Sequence, residues 1–124
     1  MPFKPYLVYL VTGEALFIGL HTLLFPYRAS FVLGIPFPYG LLSTAHLPVK
    51  GSRDVTIGLA YFAFAWHRQW EAVDTLMLSH TFTRAIDGLV VWRFGSKRWS
   101  MMHFGGVLVL MSLALLDSSK LPLQ

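Results

Sequence analysis

The apolar positions of this chain fall into four long blocks, with prolines, glycines and charged residues gathered between them. Tyr6 to Phe25 is the first block, about twenty residues and so long enough for a helix to cross the hydrocarbon of a bilayer. Pro26 closes it, because proline has no backbone hydrogen to donate. Pro26 to Lys50 mixes large apolar residues with Pro36, Pro38, Pro48, Gly34 and Gly40, which predicts a re-entrant or interfacial segment capping one end. The second block runs from about Arg53 to Trp66, introduced by Lys50-Gly51-Ser52-Arg53-Asp54, with Ser52 placed to cap the helix and Asp54 in its first turn. Ala72 to Trp92 is the third. The fourth is roughly Met101 to Leu116, or from near Trp99, with Gly105 and Gly106 permitting close helix approach. Trp66, Trp70, Trp92 and Trp99 stand at the block ends, where indole rings prefer the membrane interface. The pattern predicts an all-α polytopic membrane protein, a four-helix transmembrane bundle forming one domain over residues 1–124, with both termini on one side.

The polar positions inside these blocks draw attention because an ionised side chain at the centre of a membrane helix costs about 2.5–3.5 kcal/mol on insertion scales. His80, Arg84 and Asp87 are spaced i, i+4 and i+7 along one face of the third block. Glu14 and His21 share a face of the first. Arg53 and Asp54 open the second block and His103 opens the fourth, so antiparallel packing brings them toward Arg84 and Asp87. In that arrangement Arg53 and Arg84 neutralise Asp54 and Asp87, while His80 and His103 titrate near neutral pH. Alternatively Arg84 and Asp87, three residues apart, form an ion pair that only orders packing, His80 is a satisfied interior histidine, and Arg53 lies among headgroups. Asp74 and Asp117, near block ends, read as solvated.

Composition agrees with a membrane setting: 55% of residues are hydrophobic and 13% charged, against roughly 25% charged in soluble domains. The net charge of +4 is scattered, which argues against nucleic acid as a partner and for contact with membrane lipids. Arg28, Lys50, Arg93, Lys97 and Arg98 flank one side of the expected bundle and Lys4, Arg68 and Lys120 the other, which weakly places the first side in the cytosol. The run Tyr6 to Val11 has only Lys4 before it and no convincing small-residue cleavage site after it, so it reads as part of a retained span. The expected location is a multi-pass integral membrane protein, in the endoplasmic reticulum if the host is a eukaryote. The chain has no cysteine, which removes thiolate nucleophiles and cysteine-based metal sites.

Gly51-Ser52-Arg53-Asp54 with Gly58 a turn later, Asp87-Gly88, His103-Phe104-Gly105-Gly106, and the Pro26 and Gly34-Ile35-Pro36 elements form a set of short motifs. Together they resemble a family of small four-helix membrane proteins known only as a domain of unknown function. The resemblance covers most of the chain and implies the four-helix fold. It also implies bacterial and fungal members, the fungal ones accompanying secondary-metabolite pathways. It supplies no reaction.

With no phosphate loop, nicotinamide fingerprint or haem-type motif, acid–base chemistry is what remains. The expectation is a cofactor-independent membrane isomerase or cyclase that shifts a double bond, opens an epoxide or starts a cyclisation in a lipophilic polyketide or terpenoid-like molecule. Asp87 is the expected proton donor and Asp54 or His103 the base. Arg53 and Arg84 set protonation states and stabilise negative charge, with His80 and Glu14 in support. No cofactor and no metal is expected. The rival expectation is a non-enzymatic subunit or carrier that holds a hydrophobic molecule or a partner biosynthetic enzyme; a homo-oligomer fits either.

Overall fold

The computed structural model describes residues 3–33 and 46–115, and every regular element among them is helical. The helices are α1 (Lys4–Leu24), α2 (Pro26–Leu33), α3 (His46–Trp66), α4 (Trp70–Phe94) and α5 (Lys97–Leu115). Pro26 ends α1 and opens α2 as its first residue, a position where a missing amide hydrogen costs nothing. The expected interfacial segment therefore begins with a short helix; Gly34, Pro36, Pro38 and Gly40 lie outside the described residues.

α3 starts at His46, well before Arg53, because Pro48 fits the first turn and does not break it. Ser52 consequently sits inside the helix, where its hydroxyl donates to the Val49 carbonyl at 2.9 Å. The expected cap at Ser52 and first-turn position of Asp54 are thus both corrected. Between α3 and α4, the Gln69 amide bonds to the Phe64 carbonyl and the Arg68 amide to the Ala65 carbonyl, with Arg68 at φ 57°. That is a Schellman turn with arginine in the left-handed place usually taken by glycine.

The helix directions follow from which residues meet. Gly19 approaches Gly51 and Leu16 approaches Gly58, so α1 and α3 are antiparallel. Gly88 approaches Phe104 and Arg84 approaches Gly106, so α4 and α5 are antiparallel as well. Lys4 pairs with Asp74 and Glu14 with Arg84, which makes α1 and α4 parallel. The start of α1, the α3–α4 turn and the end of α5 therefore share one end of the bundle, here the lower end. The upper end holds α2, the start of α3 and the α4–α5 connection.

Two tight pairs, α1 with α3 and α4 with α5, make up the bundle, and close packing depends on absent side chains. A Cβ at Gly19 would lie 2.7 Å from the Val55 amide nitrogen, and one at Gly51 2.6 Å from the Leu23 nitrogen. Gly105, expected at a close approach, instead faces open space, and Gly106 meets only the Arg84 guanidinium. The pairs join at the lower end around an apolar core to which each of the four long helices contributes: Val8 and Val11, Tyr61 and Ala65, Val73 and Met77, Leu110 and Leu113.

Around this apolar core, several polar residues are buried while many large apolar ones face outward. Thr12, Asp54, His80 and Ser100 are buried, whereas Phe17, Phe31, Phe82 and Leu108 are largely exposed. α1 and α5 are long and apolar enough to cross a membrane. α3 and α4 match them in length, but several of their charged residues turn toward other helices.

Candidate functional site

One face of α4 meets the α1–α3 pair through polar side chains at four levels. Lowest, Lys4 of α1, almost wholly buried, reaches Asp74 at 2.8 Å. Asp74 is thus an ion-pair partner, which corrects its reading as a solvated residue; Asp117 lies outside the described residues. Above it, the Tyr61 hydroxyl and His80 Nδ1 lie 3.1 Å apart, both residues buried. Arg84 Nη2 then donates to Glu14 Oε1 at 2.7 Å. At the top, Arg53 Nη2 donates to Asp87 Oδ2 at 2.7 Å, and Lys50 Nζ lies 3.4 Å from the same oxygen. The helical spacing of His80, Arg84 and Asp87 does put them on one face, but their partners alternate between α3, α1 and α3.

The expected pairing holds in part, since Arg53 does reach Asp87 and Asp54. Arg84 pairs with Glu14 and not with Asp87, because α1 runs parallel to α4 and presents Glu14 at the same height. Asp54 is held by Lys50, one turn earlier in α3, with Arg53 at 3.5 Å. Lys50 is the functional-site residue that sequence reasoning missed. In sequence it reads as a charge flanking the helix, and only the earlier start of α3 puts it at i−4 from Asp54. His80, engaged by Tyr61 in the buried seam, behaves as the satisfied interior histidine.

Above the apolar core, two cavities open among the described residues, and Lys50 lines both. The first, about 280 Å³, lies between α1, α2 and α5, with Phe17, Ile18, Val32, Trp99 and Met102 as its apolar walls. Its polar lining is Glu14, His21, Thr22, Lys50, Arg84 and His103. His103 Nδ1 is buried and has no hydrogen-bond partner among the described residues. A buried polar atom without a partner calls for an explanation, and a ligand supplies one. The second cavity, about 350 Å³, lies between the start of α3 and the end of α4 and is lined by Arg53, Asp87, His46 and several apolar residues.

The expected single cluster is therefore divided. Glu14, Arg84 and His103 face the first cavity, Arg53 and Asp87 face the second, and Asp54 stands behind Lys50. A carboxylate engaged by two cations is an acceptor of hydrogen bonds from both, which describes Asp87. No group of three or more histidine, aspartate or glutamate residues among the described ones is arranged to hold a metal ion. No curated protein and no solved structure matches the chain. Residues 13–116 match the family described as "Domain of unknown function (DUF4267)", and with most of its length inside that match the chain belongs to this family.

Proposed function

We propose that α1, α3, α4 and α5 all cross a bilayer as a multi-pass bundle, and that the α1–α5 cavity carries out acid–base isomerisation or cyclisation of an uncharged lipophilic molecule, of polyketide or terpenoid type. The observation that carries this reading is the buried, unpartnered Nδ1 of His103, a residue that lines a cavity of mixed apolar and polar walls. In a eukaryotic cell the endoplasmic reticulum is the fitting location. Arg84 is already matched by Glu14, and Phe17, Ile18, Val32, Trp99 and Met102 supply apolar walls, which suits an uncharged molecule.

In this mechanism His103 moves the proton. For a double-bond shift its free nitrogen removes a proton next to a carbonyl, electron density passes to the carbonyl oxygen, and the imidazolium, whose proton exchanges with water, protonates the remote carbon as the carbonyl re-forms. Atoms and electrons balance without a co-reactant. Arg84 has donors beyond the one bound to Glu14, and they face the developing oxyanion. The proton transfer is assigned to His103 over Asp87 because Asp87 faces the other cavity and already serves two cations.

A second reading has its own support: Glu14, Asp54 and Asp87 are all ion-paired, as in a protein that binds a molecule without converting it. A long-chain β,γ-unsaturated ketone separates the two. The enzyme reading expects it to be conjugated, with deuterium incorporated from heavy water, and His103→Gln to slow this by about 10²–10⁴-fold with folding intact. Saturable binding without conversion establishes the carrier; neither binding nor conversion ends both readings of the cavity.

A further inference from the structure

We infer that the α3–α4 cavity is a second binding site, separate from the His103 cavity, and that it takes the phosphate head of an anionic membrane lipid. Three observations converge there. Arg53 is 41% exposed at the side chain and engages the described residues through Nη2 alone, leaving Nη1 and Nε as spare donors on a residue that lines the cavity. A guanidinium offers its remaining N–H groups as a planar fork that matches two phosphate oxygens. Lys50 and His46 add a cation and a further donor on the same lining.

The walls distinguish a lipid from a free anion. Val49, Val90 and Phe94 line the cavity and are also exposed at the bundle surface, so the apolar side continues outward where an acyl chain would run. Its volume of about 350 Å³ falls within the ordinary range of ligand sites, roughly 300–1,000 Å³.

The third observation is the charge of the end at which the cavity lies. The upper end carries Arg28, Lys50, Arg53, Arg93, Lys97 and Arg98 against Asp54 and Asp87, whereas the described lower end balances Lys4 and Arg68 against Glu71 and Asp74. An excess of basic residues beside a span faces the leaflet richer in anionic lipid. The site rests on the membrane reading above and not on the chemistry of the His103 cavity.

The test uses the full chain in dodecyl maltoside micelles, mixed with phosphatidylglycerol or phosphatidylcholine and examined by native mass spectrometry. One phosphatidylglycerol should be retained at least about tenfold more than phosphatidylcholine, close to the tenfold per 1.4 kcal/mol of any affinity difference. Arg53→Gln should erase the preference, and Val90→Trp should erase it by filling the apolar side without touching a charge. Arg98→Gln, a cation at the same end outside the cavity, should keep it. If Arg53→Gln fails to fold, Val90→Trp decides. Equal retention of both lipids, an unchanged preference in Val90→Trp, loss in Arg98→Gln as great as in Arg53→Gln, or displacement of phosphatidylglycerol by millimolar inorganic phosphate each overturns the site. A chain that stays monodisperse without detergent overturns the membrane reading itself; a detergent-dependent chain without lipid preference overturns the site alone.

Discussion

Adding one methyl group at Gly51 probes the closest approach in the bundle. The new Cβ would lie 2.6 Å from the Leu23 amide nitrogen and 2.8 Å from the Gly19 carbonyl oxygen, both backbone atoms. No rotamer change relieves such a contact, so α1 and α3 must separate by roughly 1 Å to regain an ordinary spacing of about 3.5 Å. A gap of that size forfeits roughly a quarter to a half of the attraction between the atoms lining it. Overpacking costs about 1–3 kcal/mol, and a clash with backbone belongs at the upper end. Alanine's better helix propensity returns about 1 kcal/mol, leaving about 2 kcal/mol of destabilisation. The assay is reversible unfolding in mixed micelles by added dodecyl sulfate, followed by helical circular dichroism. Gly13→Ala and Gly105→Ala are the controls, since a Cβ at either meets nothing within 4 Å; both should be stabilised by up to about 1 kcal/mol. A Gly51→Ala protein as stable as these controls would refute the steric reasoning.

Tyr61→Phe should leave His80 Nδ1 buried without its partner and lower stability by about 1–3 kcal/mol in the same unfolding assay, with ketone conversion unchanged because neither ring lines the two cavities. Asp87→Asn should be destabilised by between about 1 kcal/mol, as for surface pairs, and about 3 kcal/mol, as for buried ones, since Arg53 is partly exposed. Its turnover should persist; loss of turnover in well-folded Asp87→Asn would return the proton-donor role to Asp87. Arg68→Gly should raise the unfolding midpoint, worth about 1 kcal/mol, by relieving the left-handed backbone at φ 57°.

The long helices were legible because a long apolar block, ended by proline or marked by tryptophan, needs no knowledge of its neighbours. The start of α3 was not. Pro48 looks like a breaker in sequence and becomes a first-turn residue only once His46 is seen to open the helix. That displacement by about two turns hid Lys50, whose role depends on standing one turn before Asp54. The stripe of His80, Arg84 and Asp87 was readable from spacing alone, yet spacing within a helix says nothing of which neighbour each residue meets. The partner Glu14 came from the parallel course of α1 and α4, and Tyr61 and Arg53 from the antiparallel course of α3 and α4, properties of chain topology.

The pairing of Glu14 with Arg84 also orders events in time. Seventy positions separate the two residues. At synthesis rates of about 5–20 residues per second, α1 waits roughly 4–14 seconds for the helix that neutralises its carboxylate. Contact with α3 comes sooner and closes the glycine-packed pair, but it brings Glu14 no cation among the described residues. On the membrane reading proposed above, the nascent bundle passes through a half-built stage whose unpaired acid a bilayer does not tolerate well, and the arrival of α4 commits the chain to its final form.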